Sequence, residues 1–166
     1  MQRRLIDMLY VDAMLLADEA RGYFDETGRL ERELLGPMAR VSFSCESLKV
    51  TTRLMHVIAW LLTQRAVESG ELPLRDALDP SRRLGPAPVS EPESIAAMPR
   101  HARQLIDSSV DLYRRVERLD QSQAQALIAA SAELYRRVDR LDAAQAGEIV
   151  VASPARSMLD RLAMAF

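Results

Sequence analysis

The chain has 166 residues, of which 48% are hydrophobic and 28% are charged, and its formal net charge is −2 at pH 7. This length allows one domain with a substantial core and is short for two. The weakly acidic balance excludes a general positive field for nucleic acid or an anionic membrane. A single cysteine excludes an internal disulfide framework. The longest apolar run, residues 57–62, is far below the roughly twenty residues of a membrane span, so we expect a cytoplasmic protein.

The first predicted element is a helix over residues 4–26, ended by Gly28. Its apolar residues recur at spacings of three and four, which is typical of one buried stripe. This stripe comprises Leu5, Leu9, Ala13, Leu16, Ala20 and Phe24. A connection over residues 29–38 follows, with room for one helical turn before Gly36 and Pro37 interrupt it.

The second predicted helix begins at Ser42 or Ser44, either of which can cap free backbone N–H groups, and it ends at Gly70. Its middle, residues 54–62, is apolar on almost every face. A helix of this kind has neighbours on every side, so we place it at the centre of a bundle, with Trp60 as its largest buried side chain.

Arg53 is a charged residue beside this apolar stretch. Burying an unpaired charge is costly, so we expect Arg53 to pair with an acid. The candidates are Asp12, Glu19 and Glu46.

A proline-rich loop follows over residues 70–94, where five of the eight prolines of the chain occur. We expect at most a short helical turn in it, through residues 74–78.

The third predicted helix occupies residues 100–146, a stretch without glycine or proline that contains a repeat. The sequence LYRRVERLD at 112–120 recurs as LYRRVDRLD at 134–142, an offset of 22 residues. This offset is about six helical turns, so both copies present nearly the same face if the helix is continuous. Asp120 or Ser122 could instead cap a fourth helix. We favour continuity, because the alanine-rich residues 124–132 propagate a helix well.

These elements predict an all-α protein, an up-down three-helix bundle with long second and third helices. A break at 120–122 would add a short fourth helix. We expect residues 1–146 to form the bundle domain, including the loop, and residues 147–166 to form a linker and a short amphipathic, flexible tail.

Residues suited to catalysis or metal binding are few and scattered. Cys45 and His56 lie on one predicted helix about 16 Å apart along its axis, whereas a nucleophilic dyad needs contact within about 3 Å. We therefore expect Cys45 to be a small packed residue and His56 a histidine of the core or its rim. His101 has no neighbour at metal-ligand spacing, and no glycine-rich phosphate loop occurs. We expect no catalytic residue, no cofactor, no metal and no enzymatic activity.

The paired arginines of the repeat lie among acids at helical spacing, which is typical of a solvated, ion-paired face rather than a nucleic-acid stripe. We expect neither nucleic acid nor a membrane as a partner.

Two features favour partner proteins: an apolar stripe that the repeat extends along the third helix, and an apolar C-terminal segment. The segment could also pack on its own bundle. The candidate partner-binding residues in it are Arg161, Leu162, Met164 and Phe166.

The first two helices resemble the RcdA family, the regulators of CtrA degradation. The resemblance rests on YVDAMLLADEARGYF at 10–24, ESL at 46–48, TTRLM at 51–55 and AWLLTQRA at 59–66. One LYRRV unit is also similar to the family, and residues 153–166 match its tail loosely. A second LYRRV unit departs from the pattern, in which we expect one copy.

The resemblance implies a three-helix bundle, a homodimer without catalytic residues that is recruited to the cell pole. It implies an adaptor of cell-cycle proteolysis, which links substrates such as the response regulator CtrA to the ClpXP protease together with a CpdR-like receiver protein. The alternative function is a structural or scaffolding helical dimer, whose third helix makes a coiled-coil-like contact.

Overall fold

The computed structural model describes the backbone of residues 2–151 and the side chains of residues 3–145. No strand occurs over residues 2–151, so the all-α prediction is confirmed. The contacts divide the chain into two units, Met1–Ser122 and Gln123–Phe166. The helices are α1 (Gln2–Gly22), α2 (Gly28–Glu33), α3 (Pro37–Glu68), α4 (Leu74–Ala77), α5 (Pro92–Ala96) and α6 (Arg100–Val151), with a π-helical turn at Tyr23–Thr27 and a 3-10 turn at Pro80–Arg82.

Helix α1 buries one apolar stripe, as its spacing predicts. Leu9, Ala13 and Ala20 are buried. The prediction that Leu5 belongs to the stripe is wrong: Leu5 is exposed and Ile6 is buried in its place. A helical turn takes 3.6 residues, so the point one turn before Leu9 lies between Leu5 and Ile6. Either residue could therefore occupy the stripe by spacing alone.

Helix α3 begins earlier than predicted, at Pro37 rather than at Ser42 or Ser44. Proline suits the first position of a helix, where its missing N–H would have no intrahelical partner. The side chain of Arg40 joins α3 to the end of α2, because its Nε donates to Leu35 O at 2.8 Å and its Nη2 to Glu33 O at 2.9 Å.

The prediction that α3 has neighbours on every side is wrong. One of its faces is buried, but Leu48, Met55 and Leu62 are exposed on another. Trp60 is buried as predicted. The helix therefore keeps an apolar face on the surface of the unit, and hydrophobic composition alone does not show which side a neighbour covers.

The core of the first unit is built from α1, α3 and the first part of α6, which confirms the bundle of three long helices. Polar contacts also join these helices: Asp12 forms an ion pair with Arg115 at 3.8 Å, and the Glu19 carboxylate lies 3.0 Å from the imidazole of His101. The buried core comprises Ile6, Leu9, Ala13, Ala20, Tyr23, Phe43, Val50, Leu54, Val57, Trp60, Leu61, Met98, Ala102, Leu105, Ile106, Leu112, Tyr113 and Val116.

Helix α6 runs without interruption through residues 120–122, so the preferred prediction of continuity is confirmed. It continues to Val151, into the segment predicted as a linker. The division into a domain of residues 1–146 and a tail of residues 147–166 stays a prediction, because residues 152–166 lie outside the described part of the chain.

The proline-rich loop is held against α3 and α6. Tyr113 on α6 donates its hydroxyl hydrogen bond to the carbonyl oxygen of Gly85 at 2.6 Å. Gly85 lies against the imidazole of His56, and a Cβ at this position would come within 2.9 Å of the ring. Glycine therefore permits this close approach, and the loop lies over the middle of α3.

Candidate functional site

A buried arginine joins α3, α6 and the proline-rich loop. Arg53 is 1% exposed. Its Nε donates to Ser109 Oγ on α6 at 2.9 Å, and its Nη1 donates to Pro88 O at 2.9 Å and to Ser90 Oγ at 3.3 Å. Its Nη2 is also buried and has no hydrogen-bond acceptor among the described residues. The guanidinium is thus fixed in place with one nitrogen left unsatisfied.

Glu46 lies beside this arginine and is also 1% exposed. Its Oε2 accepts a hydrogen bond from Ser90 Oγ at 2.5 Å, and its Oε1 accepts one from Lys49 Nζ at 2.8 Å. Burial lowers the pKa of Arg53, and the negative charge of Glu46 opposes this lowering. Of the three acids expected to pair with Arg53, Glu46 acts on it through Ser90 without a direct ion pair. The other two pair with Arg115 and with His101.

An open groove of about 620 Å³ lies beside Arg53, between the proline-rich loop and α6. Its lining combines apolar side chains from both elements with charged side chains from α6. Among the charged ones, Asp107, Asp111 and Glu117 form no ion pair or hydrogen bond with any other described side chain, and Arg114 lies beside them. The full lining comprises Arg53, Ala87, Pro88, Val89, Ser90, Ile95, Ile106, Asp107, Val110, Asp111, Tyr113, Arg114 and Glu117.

A second buried polar cluster anchors the other end of the loop. Asp120 is 6% exposed, and its Oδ1 accepts a hydrogen bond from Trp60 Nε1 at 2.8 Å. Arg83 donates to the same carboxylate from Nε, at 3.0 Å to each oxygen, and from Nη2 at 2.7 Å. These contacts tie the loop, α3 and α6 together, so the cluster supports the groove without lining it.

The remaining titratable residues are dispersed. Cys45 is exposed, so the prediction that it is packed is wrong. His56 is half-buried, as expected of a histidine at the rim of the core. His101 pairs with Glu19. Over the described residues, no group of His, Cys, Asp or Glu could hold a metal ion, and no helix is long and apolar enough to cross a membrane.

The two copies of the repeat differ in burial. Leu112 of the first copy is 4% exposed, whereas its counterpart Leu134 is 62% exposed. Likewise Val116 is fully buried, whereas Val138 is 52% exposed. The same residue types therefore form core in the first copy and an exposed apolar stripe in the second. We call the exposed apolar surface of the second copy, together with two exposed apolar residues that precede it, the distal stripe; it comprises Leu127, Ile128, Leu134, Tyr135, Val138 and Leu141.

The candidate partner-binding residues predicted from the sequence, Arg161, Leu162, Met164 and Phe166, lie outside the described residues, so their role stays a prediction. The groove beside Arg53 was missed as a site. Its sequence signals are a lone arginine next to an apolar run and two acids one helical turn apart, Asp107 and Asp111.

The chain matches the model of a protein family described as "Protein of unknown function (DUF1465)" over residues 1–125. It also matches the crystal structure of RcdA from Caulobacter crescentus with 34% sequence identity and a TM-score of 0.59, covering 72% of this chain and 90% of that chain. The chain belongs to the RcdA family. No curated protein sequence matches it.

Membership of the RcdA family confirms the resemblance found in the sequence. The family match at residues 1–125 contains the first copy of the repeat, at 112–120, whereas the second copy at 134–142 lies beyond it. The groove beside Arg53 lies wholly within the matched residues. Every residue of the distal stripe lies outside the matched residues.

Proposed function

We propose that this member of the RcdA family is a non-enzymatic adaptor of regulated proteolysis. It helps to deliver cell-cycle substrates such as CtrA to the ClpXP protease, together with a CpdR-like receiver protein. The observation that carries the proposal is the 34% identity to RcdA over 90% of that chain. An adaptor needs interaction surfaces rather than a reaction centre, and the exposed apolar and charged surfaces of the described residues suit that requirement.

The proposal includes a homodimer, recruitment to the cell pole, and a partner-binding tail with Arg161, Leu162, Met164 and Phe166. Removing residues 147–166 should then abolish delivery while the bundle stays folded and dimeric. Circular dichroism and sedimentation would measure folding and dimerisation, and a fluorescent fusion would locate the protein in the cell.

A bridging assay tests the adaptor function. A CtrA-type substrate is immobilised, and the capture of ClpXP is measured with the receiver protein present, with and without this chain. We expect capture to rise when this chain is added and to be lost with the variant that lacks residues 147–166. Capture that is independent of this chain would contradict the adaptor function.

A scaffolding dimer is the second candidate, favoured by the exposure of the distal stripe. In this case Leu134→Glu should dissociate the dimer, whereas removal of residues 147–166 should leave it intact. The matched control is Arg137→Glu, which also places an acid in the second copy but removes no apolar side chain. Sedimentation of these variants tests whether the distal stripe forms the dimer. The bridging assay separates the two functions, because removal of residues 147–166 abolishes the capture of ClpXP only if the protein is an adaptor.

A further inference from the structure

We propose that the groove beside Arg53 binds a short peptide segment that carries a basic side chain, an apolar side chain and an oxygen acceptor for Arg53. The proposal concerns this groove alone. It does not depend on the adaptor function, because its test measures peptide binding directly.

The guanidinium group of Arg53 is fixed in place, and one of its nitrogen atoms is unsatisfied. Nε and Nη1 of Arg53 donate to Ser109, Pro88 and Ser90, whereas Nη2 has no acceptor among the described residues. Buried charged donors in native proteins are normally satisfied, because an unmade hydrogen bond of a buried charged group is costly. Arg53 lines the groove, so a ligand oxygen that reaches Nη2 after a shift of the covering wall would relieve this cost.

The charges of the lining select the type of ligand. The lining contains three carboxylates, of Asp107, Asp111 and Glu117, and the side chains of two arginines, Arg53 and Arg114. A doubly charged phosphate would be repelled most strongly by this excess of negative charge, a single carboxylate less strongly, and a neutral backbone carbonyl not at all. The same three carboxylates lack ion-pair partners among the described residues, so they would attract a lysine or arginine of the ligand.

The shape and the apolar lining suit a peptide. The groove volume of about 620 Å³ lies within the range of small-ligand sites, about 300–1,000 Å³. Val89, Ile95 and Val110 are partly or fully accessible side chains of its wall and can receive an apolar side chain. Nη2 itself is covered, so the acceptor reaches it only if the adjacent wall of the groove shifts. We therefore expect the backbone NMR signals of residues next to the segment 88–90 to change when the peptide binds.

The test uses fluorescein-labelled pentapeptide pools and fluorescence anisotropy. The binding pool has lysine fixed at its second position and alanine, valine, leucine or isoleucine elsewhere; in the control pool glutamate replaces lysine. We expect the lysine pool to bind the full chain at least about tenfold more tightly than the glutamate pool. A lysine pool with an amidated C-terminus shows which oxygen accepts the hydrogen bond of Arg53. Weaker binding of the amidated pool identifies the terminal carboxylate as the acceptor, and equal binding identifies a backbone carbonyl. Equal or absent binding of the lysine and glutamate pools would overturn the proposal.

Two variants locate the binding. Arg53→Lys keeps the charge but removes the planar fork, and should weaken binding; its folding must be checked because Arg53 is buried. Asp111→Lys should not disturb folding, because Asp111 is exposed. It should weaken binding of the lysine pool about fivefold or more relative to the matched control Asp18→Lys, an exposed acid on α1. Equal affinities of these two variants would overturn the proposal.

Discussion

Replacing Asp120 with alanine tests how the first unit is held together. Asp120→Ala removes the acceptor of the buried Trp60 N–H and the bidentate partner of Arg83. Leaving the buried N–H unsatisfied costs about 1–3 kcal/mol. The side chain of Arg83 is 33% exposed, so water partly replaces its lost partner and the additional cost is about 1 kcal/mol. We expect the free energy of unfolding to fall by about 3 kcal/mol in total.

The assay is urea unfolding followed by the fluorescence of Trp60, the single tryptophan of the chain. The repeat supplies a matched control, because Asp142 occupies the position of Asp120 in the second copy and is exposed. Asp142→Ala should change the free energy of unfolding by less than about 0.5 kcal/mol. Asp120→Asn keeps an acceptor for Trp60, so it should cost less than Asp120→Ala. Equal effects of Asp120→Ala and Asp142→Ala on the free energy of unfolding would show that the contacts of Asp120 do not stabilise the first unit.

Three further predictions follow from burial, close contact and titration. In the same urea assay, Leu112→Ala should lower the free energy of unfolding by about 2–5 kcal/mol, because Leu112 is buried. Leu134→Ala should lower it by less than about 0.5 kcal/mol, because Leu134 is exposed. Similar losses of stability for the two variants would contradict this prediction. Gly85→Ala should destabilise the protein by about 1–3 kcal/mol, because the new Cβ would lie 2.9 Å from the imidazole of His56. Gly22→Ala should stabilise it by up to about 1 kcal/mol, because the new Cβ at the end of α1 would meet open space. Thermal melts in which Gly85→Ala stabilises and Gly22→Ala destabilises the protein would contradict this prediction. Burial is the main cause that raises the pKa of Tyr23 above its ordinary value of 10.0, and the hydrogen bond from its hydroxyl to Glu31 raises it further. Because the folded-state pKa is the higher one, the stabilisation is complete below about pH 10 and is lost as the pH rises further. Urea unfolding between about pH 9 and 11 should therefore show a steeper loss for the parent than for Tyr23→Phe, and equal slopes would contradict it.

The long helices could be predicted because their signals are local. The spacing of Leu9, Ala13 and Ala20 repeats with the helical period, and glycine and proline are absent from 100–146. Helix starts were harder to predict, since Pro37 and Ser42 are both acceptable first-turn residues. The structure uses Pro37, where the side chain of Arg40 fixes the entry of α3.

The partners of the buried polar residues could not be predicted, because they are distant in the sequence. Arg53 contacts Ser109, and Trp60 contacts Asp120, across the fold. The repeat shows the same limit most clearly. Leu112 and Val116 are buried in the first copy, whereas the matching Leu134 and Val138 are exposed in the second, although the two nine-residue copies differ at a single position. Local sequence determines an amphipathic helix, but burial depends on what the rest of the chain places against it.

Degradation kinetics test the adaptor function. Purified ClpXP, the CpdR-like receiver protein and CtrA are mixed with and without this chain, and the loss of CtrA is followed over time. We expect faster loss of CtrA only when this chain is present, and no acceleration by the variant lacking residues 147–166. An unchanged rate of CtrA loss, with the chain folded and the protease active on a control substrate, would contradict the adaptor function.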